Sequence, residues 1–180
     1  NSKFLFYQKR RLEALSNKTS FQSDDILSFF LNTVSSVDSS KRYQVLDWGG
    51  GTGCSWFRVF KTLTCPKSFS WKVCDNSNLA SLGKEYSLVN KIPIEFSENY
   101  LSCNVDILYI CSSLQYVSYQ KFLPSLLLKR PKYLIFERLQ SSPLGSFTVI
   151  QNLYGSSVSC EFISYEDFIN FIFSYGYSLV

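Results

Sequence analysis

The chain of 180 residues contains no histidine and no methionine. Without histidine, the Ser-His-Asp and Cys-His arrangements of nucleophilic enzymes are excluded within this chain. Any acid–base chemistry therefore falls to Asp, Glu, Lys, Tyr or Cys side chains. Because the chain also lacks an initiator methionine, we expect it to be an excerpt from a longer protein.

The cysteines form no CxxC pair, and without histidine a zinc site would have to be all-cysteine, at a spacing that is not recognised. Several cysteines lie inside apolar runs, where a free thiol behaves as a small hydrophobic group. We therefore expect buried thiols in a reducing compartment. The six are Cys54, Cys65, Cys74, Cys103, Cys111 and Cys160.

Charged residues are few, at 18%, whereas apolar residues make up 46%, which indicates one globular domain. The net charge of +4 is mild and the basic pairs are scattered, which favours a solvated basic face over a nucleic-acid interface. We see no apolar stretch long enough to span a bilayer and no signal peptide, and we expect a cytoplasmic location. The oligomeric state stays open.

Predicted strands and helices alternate along the chain. The strands cover 43–47, 69–74, 92–96, 105–111 and 133–137, with an extended segment at 147–151. Helices are predicted at 3–15, 54–63, 79–88 and 122–128, with a second helix through 37 that starts at Ser23, Asp24 and Asp25. Ser164 and Asp167 form a capping pattern for a last helix that Gly176 ends. This order predicts an α/β domain with a mainly parallel, Rossmann-like sheet and helices on both faces, over residues 41–180. We expect residues 1–40 to be a helical segment that packs on this core, and the loop 140–146 to be flexible.

The stretch "VLDWGGGTG" at 45–53 holds four glycines in five positions, directly after a predicted strand. Glycine lets the backbone adopt positive φ and lets a ligand approach the peptide groups. In parallel sheets ligands bind outside the carboxyl ends of strands, where this turn lies. A glycine-rich turn without a ligand is the alternative.

Two cofactor patterns fail at this turn. A dinucleotide site needs G-x-G-x-x-G, but Cys54 stands where the third glycine should be if the pattern starts at Gly49, and Thr52 breaks it if it starts at Gly50. A phosphate-binding Walker loop needs Gly-Lys-Ser/Thr, which does not follow. The spacing Asp-x-Gly-x-Gly-x-Gly, from Asp47 to Gly53, fits the class I methyltransferases that use S-adenosylmethionine. A second acid, Asp75, ends the second strand about 20 residues on, where a carboxylate can bind ribose hydroxyls.

The chain resembles, over residues 43–180, a bacterial family classed as methyltransferases and often found among genes for surface polysaccharides. The resemblance is carried by Leu46–Gly50, by Ser112–Tyr116 ("SSLQY"), by Glu137–Arg138 and by Thr148–Gln151. Glu137, Ile150 and Asp75 depart from the family pattern. The resemblance implies methyl transfer to a saccharide or another small polar acceptor. It also implies a sixth strand beginning at 177 and a seventh beyond it, so we expect the C-terminal strands to be truncated.

The S-adenosylmethionine site is expected to comprise Asp47, Gly49, Gly50, Gly51, Gly53, Asp75, Asn76, Ser97, Glu98 and Ser112. Asp47 would act on the positive methionine end, directly or through water. Ser97, Glu98 and Asn99 are alternatives for a polar group near the adenine, and a plain polar loop is as compatible with the sequence.

Glu137 and Tyr116 are the candidates for a base on a hydroxyl acceptor, and Arg138 could hold an acidic acceptor or pair with Glu137. Alternatively, Glu137 and Arg138 form a structural ion pair and Tyr116 packs against the cofactor. Gln115 and Gln151 either orient the acceptor or bond backbone groups. No metal site is predicted. A module that binds the cofactor but has lost catalysis, serving polysaccharide assembly, is the second hypothesis, and an NAD-type oxidoreductase is the third.

Overall fold

A computed structural model describes residues 2–16 and 26–180. The predicted start of the second helix, Ser23 to Asp25, lies outside the described residues. The helices are α1 (Ser2–Ser16), α2 (Ile26–Val37), α3 (Cys54–Phe60), α4 (Ser77–Val89), α5 (Tyr119–Leu127) and α6 (Tyr165–Ser174). The strands are β1 (Tyr43–Trp48), β2 (Phe69–Cys74), β3 (Ile94–Ser97), β4 (Ile107–Cys111), β5 (Tyr133–Glu137), β6 (Ser141–Ser142), β7 (Phe147–Leu153) and β8 (Ser156–Ser164).

Five strands form one parallel sheet in the order β3-β2-β1-β4-β5. Successive residues of β4 pack on opposite sides: Ile107 and Tyr109 join one hydrophobic cluster, and Leu108 and Ile110 join the other. The first cluster includes side chains of α1, α2 and α3, and the second includes side chains of α5 and α6. This sheet, buried on both faces by helices, confirms the predicted α/β class.

A second sheet, with the order β6-β8-β7, follows β5. β7 and β8 form an antiparallel hairpin around Tyr154 and Gly155, which have φ of 50° and 79°. Positive φ at both turn positions is typical of a type I′ hairpin turn. The sequence analysis predicted only part of β7 and missed β8.

One prediction near the carboxyl terminus is wrong. Residues 177–180 are not a strand and pair with no strand in the described part of the chain. Within the loop 140–146, which is predicted to be flexible, Ser141 and Ser142 pair in parallel with β8. The predicted cap of α6 is confirmed, because the Ser164 hydroxyl accepts a hydrogen bond from Asp167 N, and Gly176 follows the helix with φ of 86°.

Candidate functional site

A cavity of about 1070 Å³ lies at the carboxyl ends of the parallel strands. The glycine turn after β1 and the exits of β2, β4 and β5 line it, and side chains of α1, β7 and β8 complete its walls. The chain continues from β1 towards one edge of the sheet and from β4 towards the other edge. Open α/β sheets bind ligands at such a switch point, outside the carboxyl ends of the two strands. Its volume is at the upper end of the usual range, roughly 300–1,000 Å³, so it has room for a cofactor and a second small molecule.

Two glycines of the turn have close neighbours and a third does not. A Cβ on Gly50 would lie 2.4 Å from Cγ of Asp47, so a larger residue cannot replace Gly50 without displacing that carboxylate. A Cβ on Gly49 would lie equally close to the Ser113 side chain. Gly51, with φ of 61°, differs, because a Cβ there would meet only Gln8 Oε1, at 3.9 Å. The backbone at Gly51 therefore faces open space, where a ligand can approach it.

Asp47 lies beneath this turn and is fully buried. Its Oδ2 accepts a hydrogen bond of 3.3 Å from Trp71 Nε1, while Oδ1 has no hydrogen-bond partner among the described residues. Burial raises the pKa of Asp47 to about 7, against a lowering by Trp71. Because Asp47 does not line the cavity, its position suits support of the turn rather than direct contact with a ligand.

Asp75 joins the exit of β2 to the glycine turn. Its Oδ2 accepts a 2.8 Å hydrogen bond from Gly51 N, and its Oδ1 accepts bonds from the backbone and side-chain nitrogens of Asn76. Burial raises the pKa of Asp75, and the bonds from Asn76 and Gly51 oppose that rise. Asp75 and Asn76 both line the cavity. Asp75 thus fixes the turn and still presents a carboxylate to the cavity.

The exits of β4 and β5 have unusual backbone geometry. Ser112 and Arg138 each have φ of 54°, a conformation that side chains other than glycine rarely adopt. The two exits are joined, because Ser112 N donates a 3.0 Å hydrogen bond to the Glu137 carbonyl. Next to it, the Ser113 hydroxyl donates to the Trp48 carbonyl at 3.2 Å. Strained backbone of this kind is concentrated at functional sites.

Glu137 is held in a partly buried ionic network. Arg58 donates to both of its carboxylate oxygens, at 2.9 and 2.6 Å, and the Tyr109 hydroxyl donates at 2.6 Å. Burial alone would raise the pKa of Glu137, but the bonds from Arg58 and Tyr109 outweigh it and lower that pKa. Arg138 Nε lies 3.7 Å away, and Glu137 does not line the cavity. The geometry favours the structural ion pair over the base, with Arg58 as its main partner.

Gln115, Tyr116 and Gln151 do meet in the cavity wall. The Tyr116 hydroxyl donates a 2.8 Å hydrogen bond to Gln151 Oε1, and burial raises the pKa of Tyr116. Gln115 is buried, and its Nε2 donates to the Ser112 carbonyl at 2.9 Å. Its Oε1 is buried without a hydrogen-bond partner among the described residues. A buried carbonyl oxygen of this kind is satisfied by a ligand that carries an N–H or O–H donor.

An aromatic contact connects α1 to the hairpin turn beside the cavity. The Tyr154 ring lies with its centroid 5.4 Å from that of Phe4 and 5.1 Å from that of Tyr7. Phe4 and Tyr154 both line the cavity, as do Gln8 and Arg11 of α1. The sequence analysis missed this wall, because neither α1 nor the Tyr-Gly turn carries a recognised motif.

The cavity brings together most of the predicted site residues, which come from distant parts of the chain. Those that line it are Gly49, Gly50, Gly51, Asp75, Asn76, Glu98, Ser112, Gln115, Tyr116, Arg138 and Gln151. Four others lie outside the lining. Besides Asp47 and Glu137, Gly53 packs near Ile94 and Phe96, and the Ser97 hydroxyl bonds the backbone of Asn99.

The described residues contain neither a metal-binding cluster nor a membrane-spanning helix. No group of three or more His, Cys, Asp or Glu side chains there could hold a metal ion. No helix in the same residues has the length and apolarity needed to cross a membrane.

No family model matches the sequence, and no curated protein matches it. Solved structures do share the fold. A protein from Listeria monocytogenes classed as an S-adenosylmethionine-dependent methyltransferase has a TM-score of 0.51 at 10% identity, over 75% of this chain and 76% of that one. Human N-acetylserotonin methyltransferase, in complex with S-adenosylmethionine, has a TM-score of 0.49 at 14% identity, over 84% of this chain and 49% of that one.

The mitomycin 7-O-methyltransferase also has a TM-score of 0.49 at 14% identity, with 84% of this chain and 48% of that chain covered. This chain therefore spans about half the length of the last two structures. At these identities the likeness to the Listeria protein shows a shared fold alone: a parallel sheet in Rossmann-like order, flanked by helices on both faces.

Proposed function

We propose that this chain binds S-adenosylmethionine in the cavity at the glycine turn and transfers its methyl group to a small polar acceptor, with saccharides among the candidates. The observation that carries the proposal is the junction of Gly51 and Asp75. It places an open backbone face and a carboxylate side by side at the switch point of the sheet. The shared fold is consistent with this assignment.

The groups of the cavity fit this cofactor in chemical type. Asp75 can accept hydrogen bonds from ribose hydroxyls. The unsatisfied Gln115 Oε1 can accept one from the methionine ammonium. Arg11 lines the cavity. Burial raises the pKa of Cys54, the first residue of α3, and the positive charge of Arg11 opposes part of that rise. The guanidinium of Arg11 therefore lies near the start of α3. There it can hold the methionine carboxylate.

The bound cofactor supplies an electrophilic methyl group on a sulfonium. The contribution of the chain is to hold the acceptor in line with that methyl group and to exclude water, so positioning carries much of the catalysis. The strained exits at Ser112 and Arg138 both border the cavity, so their backbone and side-chain groups are available to position a bound molecule.

Calorimetric titration with S-adenosylhomocysteine, with NAD as the control ligand, tests the proposal. We expect micromolar binding of the first compound alone. Asp75→Ala should weaken it about 10- to 100-fold, because a hydrogen bond to a charged group contributes roughly 1.5–3 kcal/mol. Glu85→Ala, which removes an exposed carboxylate of α4 outside the cavity, is the matched control and should bind normally. No binding of S-adenosylhomocysteine by the folded wild-type protein, or preferred binding of NAD, would refute the proposal, and equal binding by all three proteins would refute the role given to Asp75.

A cofactor-binding module without catalysis is the second candidate. It is favoured by the chemistry of the cavity wall, since Glu137 is engaged by Arg58 and the raised pKa of Tyr116 disfavours a phenolate base. Transfer of a labelled methyl group to any acceptor would exclude this candidate.

A further inference from the structure

The acceptor side of the cavity carries a positive charge and no evident base. Among the described lining residues at the exits of β4 and β5 and on the hairpin, Arg138 carries the one charged side chain. Burial raises the pKa of both Cys111 and Tyr116, so neither is ionised near neutral pH. The described wall on this side contains no Asp, Glu or Lys.

The two carboxylates that do line the cavity lie on its other side. Asp75 follows β2 and is engaged by Gly51 and Asn76. Glu98 follows β3, which is four strands away from β5 in the sheet. At about 4.8 Å between neighbouring strands, that separation is roughly 19 Å. Neither carboxylate is therefore placed to take a proton from an acceptor at the exit of β5.

Arg138 provides the charge of the acceptor side. Its side chain is 62% exposed, and its nearest carboxylate is Glu137, at 3.7 Å. That carboxylate is already bonded by Arg58 at 2.6 Å and by the Tyr109 hydroxyl at 2.6 Å, so Glu137 compensates the charge of Arg138 only in part. The wall also presents the amides of Gln140 and Gln151. A guanidinium whose charge is only partly compensated attracts an anionic ligand and pairs well with a carboxylate.

We propose that the methyl acceptor is a carboxylate, held by Arg138, and that the product is a methyl ester. This inference rests on the proposed function. A carboxylate is already ionised at neutral pH, so its oxygen can form a bond to the methyl carbon without a base. The methyl–sulfur bond breaks at the same time, and its electron pair stays on sulfur. The carboxylate loses its negative charge, the sulfonium loses its positive charge, and no proton moves. An acidic sugar and an aromatic acid both meet this requirement.

Binding to the protein saturated with S-adenosylhomocysteine tests the inference with two matched pairs of probes: benzoate against benzamide, and glucuronate against glucose. In at least one pair the carboxylate should bind tenfold or more tightly than its neutral partner. Arg138→Gln should abolish that preference and leave binding of S-adenosylhomocysteine intact. Arg130→Gln is the control, since Arg130 has the same left-handed backbone (φ of 53°) and lies outside the cavity.

Methyl transfer gives the second readout. With labelled S-adenosylmethionine and the preferred carboxylate, label should appear in a product that releases methanol in alkali, as an ester does. Three results, each obtained with protein that binds S-adenosylhomocysteine, would show that the carboxylate inference is wrong while the proposed function stands. Neither carboxylate is preferred over its neutral partner, Arg138→Gln does not change the preference, or the label enters an alkali-stable ether. If S-adenosylhomocysteine does not bind to the folded protein, the proposed function fails and this inference fails with it.

Discussion

A single buried carboxylate, Asp47, links the glycine turn to the stability of the sheet. Because the side chain lies directly under Gly50 and the 3.3 Å hydrogen bond from Trp71 offsets only part of the cost of burial, burial dominates its ionisation. The folded protein thus holds a proton at Asp47 at pH values where the unfolded chain has released it. Ionisation of Asp47 therefore disfavours the folded state.

This raised pKa predicts a specific pH dependence. Between about pH 4, the ordinary value, and about pH 7, the folded state binds more protons at Asp47 than the unfolded state does, so the free energy of unfolding falls as pH rises. Asp47→Asn should remove this decline, which is on the order of 4 kcal/mol at most. Urea denaturation of both proteins at pH 5 and pH 8 measures it. A stability difference between them that is the same at both pH values would contradict the assignment.

Glu137 should behave in the opposite way, because its pKa is lowered in the folded state. Its contribution to stability is present above pH 4.5 and is lost as pH falls through the lowered value. Glu137→Gln removes the carboxylate to which Arg58 and Tyr109 donate and should reduce the free energy of unfolding by about 2–4 kcal/mol at pH 7. Glu85→Gln, an exposed control, should have little effect. A Glu137→Gln protein as stable as wild type would revive the alternative of a base.

At the scale of elements, the parallel sheet was predictable and the second sheet was not. The observed bounds of β2 and β5 are the predicted ones. A run of apolar residues predicts a strand that is buried on both faces, and an acidic residue marks the end of each of these two runs. β4 starts two residues later than predicted, at Ile107, since the Asp106 side chain accepts bonds from Lys41 and Gln44 just before it. α3 ends at Phe60, three residues early.

The β7–β8 hairpin escaped prediction for two physical reasons. Its turn is Tyr154-Gly155, whereas the strong sequence signal for a type I′ turn is Asn-Gly or Asp-Gly. β7 is also largely exposed, and β8 is buried only in its second half, so neither strand has the continuous apolar pattern of a core strand. The cavity lining was predictable at the glycine turn, at Asp75 and the neighbouring Asn76, in 112–116, and at Glu98, Arg138 and Gln151. The wall from α1 depends on tertiary packing that no local pattern encodes.

The hairpin turn offers a test of the wall that it forms with α1. Tyr154→Asn removes the ring that contacts Phe4 and Tyr7 but supplies the Asn-Gly pair that type I′ turns prefer. We therefore expect unchanged thermal stability and a several-fold faster dissociation of S-adenosylhomocysteine, measured by stopped-flow. Tyr165→Asn, at an exposed tyrosine of α6, is the control. An unchanged dissociation rate would mean that the contact does not retain the ligand.

For the whole molecule, the same two strands, β1 and β4, build both the hydrophobic core and the cavity. β1 and β4 supply fully buried side chains to both hydrophobic clusters, and their carboxyl ends also border the cavity. The glycine turn is bonded to β2 through Gly49 N and the Cys74 carbonyl, at 2.8 Å. Opening the site therefore requires disrupting contacts of the central sheet, and a ligand bound there should stabilise the folded chain as a unit.

This coupling predicts a thermal shift of defined size. A ligand at 100 times its dissociation constant stabilises the folded state by about 2.7 kcal/mol. For a domain of this size, each kcal/mol raises Tm by roughly 2–4 °C, so S-adenosylhomocysteine should raise it by roughly 5–11 °C. Asp75→Ala at the same ligand concentration should show a much smaller rise, because its dissociation constant is higher. NAD should produce no shift. If calorimetry shows binding of S-adenosylhomocysteine but Tm does not change, the coupling of site and core would be refuted. The ligand would then also bind the unfolded chain, or unfolding would begin away from the cavity.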